Sequence, residues 1–495
     1  MNANEPKPDA GVLIVRPAGE VATKSRQTRE RFEQVLRSNI LDALASVGAS
    51  ARIKRSFGRM TVTTDAPELA AAALGRVFGI GTLSSVEGRC AANADAIVAT
   101  GTRLFAERVR GRRYAVRARR VNSEGVSGAD INRRLGAALN PGATVDLTDP
   151  EVVVHAEIGE SRCEFFSDRT RGACGLPLGA SGRAVALMSG GFDSPVAAWR
   201  LMRRGVAVDF VFCNLGGGAY ERMVIQVAKV LADAWSYGHK PRLYVIDFTE
   251  PVAELQRVAR PQYWQVVLKR LMYRAATAVA ERTGGEAIIT GEAIGQVSSQ
   301  TLANLRANEG STPLPLLRPL IGWEKTEIIA EAKLIGTAAL SRRVKEYCAI
   351  APGHPVVATT EERVDVEDAK LDPAVLARAI AALRVHDLRA LKVSELSAAY
   401  VFKDTIPANA VLLDCQPEPM FQAWHVPGAV HRDPLAILDD YKSLDKNRTY
   451  VVYCTHGMQS AGVAEVLQQS GFEAYAFDGG IAALKRYIDA RGPPG

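Results

Sequence analysis

Two short strings in the sequence carry residue types that are suited to chemistry. The first, residues 189–194 (SGGFDS), has two glycines, a carboxylate and hydroxyls, and it follows an apolar run. Glycines let backbone N–H groups approach an anion, and the start of a helix favours negative charge. The string therefore predicts a phosphate-binding loop, with Ser194 as the N-cap of a helix that begins at Pro195. An ordinary tight turn is the alternative.

The second string, residues 454–460 (CTHGMQS), begins with a cysteine after another apolar run and precedes a stretch with helical periodicity. A helix N-terminus stabilises an anionic sulfur, so Cys454 is expected to act as a thiolate or persulfide. A protein-tyrosine-phosphatase loop needs an arginine six residues after the cysteine, where this chain has Ser460. The alternative is that Cys454 is a small buried hydrophobe.

Alternating apolar and helical stretches surround these strings. Apolar runs at 184–188, 206–212, 243–246 and 287–289 predict a doubly wound α/β domain over residues 180–360. Residues 290–301 (TGEAIGQVSSQT) follow the last run, at the edge where open sheets bind ligands. Residues 361–400 are predicted to be a helical connector, and residues 401–495 a smaller α/β unit.

The chain before this domain predicts two small α+β units, with boundaries at 1–64 and 65–169. Between Arg103 and Arg120 lie eight arginines and a single acid, Glu107. Such a dense positive patch favours a polyanionic partner, because arginines neutralise phosphates and release counterions. A solvated charged face is the alternative.

Length and composition set the frame for these units. A chain of 495 residues with 47% hydrophobic and 23% charged residues is typical of about three globular domains. It has no run of about 18 uncharged apolar residues and no signal-peptide pattern at its start, so we expect a cytoplasmic protein without a membrane partner. Seven scattered cysteines have neither disulfide-framework nor zinc spacing, so no metal-ligand set is predicted.

The two strings also carry a resemblance to known families. SGGFDS resembles the PP-loop of ATP pyrophosphatases, and TGEAIGQVSSQT resembles a block of the tRNA 4-thiouridine synthetases, or tRNA sulfurtransferases. His425-Val426-Pro427-Gly428-Ala429, the cysteine string and Gly479-Gly480 together resemble a rhodanese domain. The resemblance implies a ferredoxin-like domain (1–64), a THUMP RNA-binding domain (65–169), a PP-loop domain and a C-terminal rhodanese-like domain.

The resemblance also implies roles for individual residues. The expected catalytic residues are Cys454, Cys348 and Asp193, with Asp193 placing Mg²⁺ or the phosphates of ATP. The expected ATP contacts are Leu187, Met188, Ser189, Gly190, Gly191, Ser194, Lys269, Gly291 and Gln300. The expected RNA contacts are Arg110, Arg112, Arg113, Arg117, Arg119 and Arg120. For Lys269 a solvated basic face, shared with Arg270 and Arg274, is the alternative.

The implied reaction uses ATP to adenylate the uridine at the eighth position of tRNA and a persulfide on Cys454 to thiolate it. Cys348 would release the sulfur by forming a redox-active disulfide with Cys454; a structural loop cysteine is its alternative. The expected partners are tRNA and a cysteine desulfurase, a homodimer is among the oligomeric states considered, and sulfur supply for thiazole synthesis is a second expected role. Where rhodanese domains have Asp-x-Arg, this chain has Asp414-Cys415-Gln416, with Cys415 expected to be inert packing.

Three other functions remain open at this point. A sulfur carrier for thiazole alone would need neither the arginine-rich unit nor the phosphate loop. A PP-loop tRNA enzyme that attaches an amine would not need Cys454. A non-enzymatic RNA-binding protein would tolerate loss of both strings.

Overall fold

The chain forms four modules of helices and strands, each built around its own β-sheet. The computed structural model describes residues 11–56, 58–121, 125–344 and 354–492. It divides into two compact units, with the boundary between Leu176 and Pro177. The multidomain α+β and α/β class predicted from the sequence is confirmed.

The first unit holds two modules. Its strands are β1 (Gly11–Pro17), β2 (Ala51–Ser56), β3 (Arg59–Thr64), β4 (Ile80–Ser85), β5 (Gly88–Ala91), β6 (Arg113–Arg120), β7 (Thr144–Val145), β8 (Val152–Ile158), β9 (Arg162–Phe166) and β10 (Thr170–Arg171). Its helices are α1 (Gly19–Ala22), α2 (Arg26–Ser46), α3 (Pro67–Leu74), α4 (Ala94–Val109) and α5 (Gly128–Leu139). One sheet has the order β10-β4-β1-β3-β2 and the other β5-β9-β8-β6-β7.

The first module extends beyond residue 64, where the sequence prediction ended it. Strand β4 pairs antiparallel with β1, from Leu13 opposite Ser85 to Pro17 opposite Ile80, and α3 packs against α2. The physical reason is that the central strand β1 needs a hydrogen-bonded neighbour on both sides, and β4 supplies the second one.

A buried ion-pair network joins the two modules of this unit. The carboxylate of Glu157 on β8, 1% exposed, accepts hydrogen bonds from Arg16 at 2.7 Å, from Arg119 at 2.7 Å and from Arg59. Burial alone would raise the pKa of Glu157, but the arginines outweigh it and lower the pKa to about 2. Glu157 therefore stays ionised and is fully compensated by positive charge.

Replacing Glu157 by glutamine is expected to lower the free energy of unfolding of this unit by about 3 kcal/mol, because buried arginines would lose their counter-charge. The pKa of Glu157 in the folded state lies below its usual value of 4.5, so this contribution to stability is complete above pH 4.5 and is lost as the pH falls towards 2. Urea titrations at several pH values measure the free energy of unfolding of the wild type and the variant. Glu107→Gln, which breaks only an exposed pair with Arg110, is the control and should change stability by less than about 0.5 kcal/mol. An equal effect of both substitutions would contradict the network's role.

The third module is the doubly wound domain predicted from the sequence. Its strands are β11 (Arg183–Leu187), β12 (Ala207–Asn214), β13 (Arg242–Asp247), β14 (Ile288–Ile289), β15 (Leu316–Leu317) and β16 (Arg384–Asp387). Its helices are α6 (Asp193–Met202), α7 (Gly217–Trp235), α8 (Thr249–Val258), α9 (Trp264–Thr283), α10 (Leu302–Ala307), α11 (Lys325–Ile335), α12 (Ala338–Ser341), α13 (Glu361–Asp368) and α14 (Pro373–Ala381).

Sheet order in this module locates the ligand-binding edge. The order is β15-β14-β11-β12-β13-β16, with parallel pairing everywhere except between β13 and β16. Strand order reverses at β11, which lies between β12 and β14. Open α/β sheets bind ligands at such a switch point, outside the carboxyl ends of the strands. The loops after β11 and β14 therefore meet at the expected crevice.

Much of the predicted connector, residues 361–400, belongs to this module instead of forming a linker. Strand β16 pairs with β13, and Arg384 forms an ion pair with Glu221 of α7 at 2.5 Å. The buried ammonium group of Lys229 donates to the carbonyl of Leu388 at 2.9 Å. These contacts fix the segment because α7 supplies charged partners for it.

The fourth module is the smaller α/β unit at the C-terminal end. Its strands are β17 (Phe402–Lys403), β18 (Val411–Asp414), β19 (Val430–His431), β20 (Thr449–Tyr453) and β21 (Glu473–Phe477). Its helices are α15 (Glu418–Ala423), α16 (Pro434–Asp440), α17 (Met458–Gln469) and α18 (Gly480–Arg491). All strands are parallel, in the order β17-β21-β20-β18-β19. No helix in the described ranges has the length and apolar character needed to cross a bilayer.

Candidate functional site

The loop at residues 189–194, called the phosphate loop below, connects β11 to α6. The backbone N–H of Ser189 donates to Ser194 Oγ at 2.9 Å, and Ser194 Oγ donates to the carbonyl of Ser189 at 3.0 Å. Helix α6 begins at Asp193 and not at Pro195, because the Ser194 hydroxyl closes the loop and does not cap the helix. The loop is thus held in a tight curve at the helix N-terminus, the geometry that favours a bound anion.

Two glycines at this site are required by close packing. A Cβ on Gly291, in the loop after β14, would lie 2.7 Å from the backbone nitrogen of Ser194 and 2.8 Å from the carbonyl carbon of Asp193. A Cβ on Gly190 would lie 2.5 Å from a methyl group of Val344. The loops after β11 and β14 therefore touch backbone to backbone.

Asp193 lies at the start of α6 and is surrounded by donors. Lys325, the first residue of α11, places its ammonium nitrogen 2.8 Å and 2.9 Å from the two carboxylate oxygens of Asp193. Gln296 approaches both oxygens at 3.4 Å. Lys325 was not identified from the sequence, and a lysine at a helix start gives no sequence pattern that would single it out.

A single buried carboxylate, surrounded by hydrogen-bond donors, lies immediately beside the phosphate loop. Glu292, 2% exposed, accepts hydrogen bonds from Tyr273 at 2.5 Å, Thr290 at 3.0 Å and Arg318 at 2.9 Å. Lys269 approaches it at 3.5 Å. Burial would raise the pKa of Glu292, but Lys269, Tyr273 and Arg318 lower it overall, so the carboxylate is ionised.

The structure does not support the alternative that Lys269 belongs to a solvated basic face. Arg270 is 3% exposed and donates to the carbonyl of Ala307 at 2.6 Å, while Arg274 forms an ion pair with Asp368. The ammonium group of Lys269 points towards Glu292, the residue that follows Gly291 in the chain. Glu292 lies within the string singled out from the sequence, but its partners Tyr273 and Arg318 were not identified, because they come from α9 and from beyond β15.

The other predicted ATP contacts border the same loops. Met188 is buried and donates its backbone N–H to the carbonyl of Val211 at 2.8 Å, while Leu187 is half-buried at the end of β11. Gln300 is buried and accepts a hydrogen bond from the backbone of Ala293 at 3.2 Å. The structure thus gathers the predicted set at one edge of the sheet, with Gln300 bracing the loop after β14.

Residues 454–460, called the cysteine loop below, connect β20 to α17. The backbone N–H of Ser460 donates to Cys454 Sγ at 3.4 Å, and Ser460 Oγ lies 3.4 Å from the same sulfur. Gly457 has φ of +84°, which glycine adopts without strain and which turns the chain into the helix. The sulfur therefore faces the N-terminus of α17, the environment expected to stabilise a thiolate or persulfide.

A second helix N-terminus packs on the cysteine loop. The backbone N–H of Ile481 in α18 donates to the carbonyl of Thr455 at 3.2 Å, and a Cβ on Gly480 would lie 2.8 Å from that oxygen. Gly480 is therefore needed for the close approach of α18 to the cysteine loop.

Gln416 replaces the arginine that rhodanese domains often have at this position. Its side-chain nitrogen donates to the buried carboxylate of Asp414 at 3.0 Å and to the carbonyl of Trp424 at 3.1 Å, and its oxygen lies 3.5 Å from Thr455 Oγ1. Burial raises the pKa of Asp414, while the hydrogen bonds from Gln416 and Tyr453 oppose that rise. A neutral amide therefore supports the cysteine loop.

The remaining cysteine predictions have different outcomes. Cys415 is 1% exposed, and burial, then the nearby Cys454, raise the pKa of its thiol well above the usual value. This environment agrees with a protonated packing residue. Cys348 lies at residues 345–353, outside the described residues, so its predicted disulfide with Cys454 stays a prediction.

The predicted RNA-binding arginines divide into two groups. Arg113 lies 3.0 Å from Asp149, Arg119 lies 2.7 Å from Glu157 and Arg110 lies 2.5 Å from Glu107. Arg112, Arg117 and Arg120 are exposed and have no acidic partner within 4 Å among the described residues. The second group has the charge available for phosphates.

A group of arginines around His155 of β8 includes residues that sequence reasoning missed. His155 stacks on Phe166, with ring centroids 4.9 Å apart, and lies opposite Arg117 in the sheet. Burial, then the charges of Arg169, Arg16 and Arg117, lower the pKa of His155 to about 4. Arg169 is far from Arg117 in sequence, so a search for dense arginine runs does not find it.

Family models match four successive parts of the chain. They are the ThiI ferredoxin-like domain (residues 12–84), the THUMP domain (91–168), the thiamine biosynthesis protein ThiI (179–372) and the rhodanese-like domain (398–487). Their order agrees with the four modules.

Similar proteins match almost end to end. A tRNA sulfurtransferase of Desulfurococcus amylolyticus is 37% identical over 96% of this chain and 98% of its own, and one of Pyrobaculum aerophilum is 37% identical over 94% and 96%. A crystal structure of a 4-thiouridine synthetase–RNA complex with bound ATP has a TM-score of 0.67 and 29% identity, covering 76% of this chain and 99% of that one. The chain belongs to the tRNA sulfurtransferase family.

Proposed function

We propose that this chain transfers persulfide sulfur to the uridine at the eighth position of tRNA, giving 4-thiouridine at the expense of ATP. The observation that carries the proposal is the joint presence of two built sites: a phosphate loop closed by Ser194 and a cysteine loop whose sulfur accepts the Ser460 N–H. A phosphate site alone would suit adenylation without sulfur, and a cysteine loop alone would suit a carrier. Membership of the tRNA sulfurtransferase family supports the combination.

The first step activates the uridine. Its C4 oxygen attacks the α-phosphorus of ATP, pyrophosphate leaves, and adenylated uridine forms. Ser189, Gly190, Gly191 and the N-terminus of α6 are proposed to bind the phosphates, with Leu187, Met188, Gly291 and Gln300 around the nucleotide. Lys269 and Lys325 supply positive charge for the phosphates or the leaving pyrophosphate.

Magnesium fits this site through Asp193, because Mg²⁺ in nucleotide sites is typically held by one or two carboxylates and by substrate phosphates. When bound, the ion would neutralise charge on the triphosphate. The ammonium group of Lys325, 2.8 Å from Asp193, would add positive charge beside the same phosphates.

The second step delivers sulfur. The terminal sulfur of the Cys454 persulfide attacks C4, and AMP leaves. The Cys348 thiolate then attacks the Cys454 sulfur, which forms a Cys348–Cys454 disulfide and leaves the terminal sulfur on the nucleoside. An external dithiol reductant restores both thiols, and a cysteine desulfurase reloads Cys454. Arg112, Arg117 and Arg120 are proposed to contact the tRNA backbone. Arg110, Arg113 and Arg119 are proposed to contribute as well, to the extent that their acidic partners do not neutralise them. Sulfur supply for thiazole synthesis is a second proposed use of the loaded cysteine, and it needs no tRNA.

Unmodified tRNA incubated with the enzyme, Mg²⁺, ATP, a desulfurase and cysteine should form 4-thiouridine and one AMP for each. Asp193→Asn should slow AMP release and thiolation together by about a hundredfold or more, because the carboxylate proposed to hold Mg²⁺ at the phosphates is lost. Nucleoside mass spectrometry measures thiolation, and AMP quantification measures AMP release. Asp404→Asn, at an exposed carboxylate of the fourth module, is the control. Thiolation that proceeds without ATP would refute the proposal.

A further inference from the structure

The cysteine loop is docked on the third module through the helix that follows it. Gln459, the second residue of α17, donates its side-chain N–H to the carbonyl of Gly336 at 2.8 Å. Gly336, with φ of +86°, ends α11, and a Cβ there would lie 2.9 Å from the Gln459 nitrogen. Gln459 immediately precedes Ser460, whose N–H donates to the Cys454 sulfur. The same helical turn therefore holds the sulfur and the docking contact.

Farther along α17, an ion pair and a close packing contact extend the docking surface. Arg343 lies 2.5 Å from Glu465, and both side chains are only about one-fifth exposed, at 22% and 21%. Gly462 faces α12 so closely that a Cβ would lie 2.9 Å from a methyl group of Leu340. A glycine inside a helix costs about 1 kcal/mol relative to alanine, so its presence here agrees with a need for close approach.

The segment that receives these contacts also holds the phosphate loop. Ser341, the last residue of α12, donates its hydroxyl to the carbonyl of Gly191 at 3.2 Å. Val344 packs against Gly190 on the same loop. Residues 336–344 thus contact α17 on one side and the phosphate loop on the other.

We propose that Arg343, Glu465 and Gln459 are positioning residues for sulfur transfer: they dock the cysteine-loop helix on the segment 336–344, so that Cys454 is presented to the phosphate-loop site. The inference rests on the proposed function for its chemistry. None of the three residues reacts; each acts through the placement of the Cys454 sulfur. The segment continues directly into residues 345–353, which include Cys348.

Charge reversal tests the docking pair in the full-length enzyme. With Cys454 preloaded as the persulfide, Arg343→Glu and Glu465→Arg should each slow single-turnover transfer to tRNA by about tenfold, in keeping with coupling between contacting residues. The double variant, which restores an ion pair in reverse, should recover to within about threefold of the wild type. Persulfide loading by the desulfurase and pyrophosphate release from ATP should stay at wild-type rates, which a general loss of structure would not allow.

Arg342→Glu is the matched control, because Arg342 pairs with Asp439 across the same surface but those side chains are 52% and 61% exposed. It should change transfer by less than about twofold. Unchanged transfer in both single variants, a double variant without recovery, or faster transfer in the single variants would each overturn the proposal. Small-angle scattering measures docking without any reaction: the single variants should be more expanded than the wild type and the double variant should not. Absence of transfer in the wild type would count against the proposed function, while docking would still be judged by scattering.

Discussion

Cys454→Ser should abolish thiolation of tRNA, with a loss of at least about a thousandfold, because a hydroxyl cannot carry sulfane sulfur to the activated uridine. Pyrophosphate release from ATP in the presence of tRNA should persist, since the phosphate loop does not depend on this sulfur. Sulfane sulfur on the protein and 4-thiouridine in tRNA are measured in parallel after incubation with desulfurase and cysteine.

Cys415→Ala is the matched control for this prediction. Cys415 directly follows β18, the strand that pairs with β20. Its backbone N–H donates to the carbonyl of Tyr453 at 2.8 Å, and its thiol is buried. The variant should retain sulfur loading and thiolation at close to the wild-type rate. Sulfur loading that survives in Cys454→Ser but disappears in Cys415→Ala would reverse the assignment of the carrier.

Gly291→Ala should remove ATP-dependent activation while leaving the cysteine loop loaded. The new Cβ would lie 2.7 Å from the Ser194 backbone nitrogen, so the start of α6 has to move away from the phosphates. Because misplacement by about 1 Å costs roughly a hundredfold at a reacting centre, we expect AMP release to fall by at least that factor. AMP release and persulfide loading are measured on the same preparation.

Gly322→Ala is the control, because among the residues that the structure describes a Cβ at Gly322 meets no atom within 4 Å beyond its chain neighbours. It should leave both activities unchanged. Normal AMP release by Gly291→Ala would contradict the role assigned to the contact between the two loops, and loss of persulfide loading would show that the substitution acts beyond the phosphate-loop site.

The fold was predictable where its pattern is local. Continuous apolar runs separated by helical periodicity indicated the parallel sheet of the third module, and the predicted run 184–188 differs by one residue from strand β11 (Arg183–Leu187). The extent of the first module was not predictable in this way. Strand β4 pairs with β1, about seventy residues earlier, and nothing in its own sequence indicates which sheet it joins.

The candidate site shows the same division. Loop strings and glycine positions identified the phosphate loop and Cys454, because their chemistry depends on consecutive residues. Long-range polar partners were not predictable: the ion-pair partner Lys325 is 132 residues from Asp193, and the hydrogen-bond partner Gly336 is 123 residues from Gln459. Counting arginines in the sequence also overestimated how many on β6 lack an acidic partner, because Glu157 of the neighbouring strand β8 forms an ion pair with Arg119.

We expect the sulfur in 4-thiouridine to pass through Cys454 and to enter a uridine activated at the phosphate loop. The most direct measurement loads the enzyme with radiolabelled sulfane sulfur, removes the donor, and adds unmodified tRNA and unlabelled sulfide, with or without ATP, in a single turnover. We predict that label moves from Cys454 into 4-thiouridine only when ATP is present, with one AMP released for each sulfur transferred. Label that stays on Cys454 while tRNA becomes thiolated from unlabelled sulfide in solution would contradict the account.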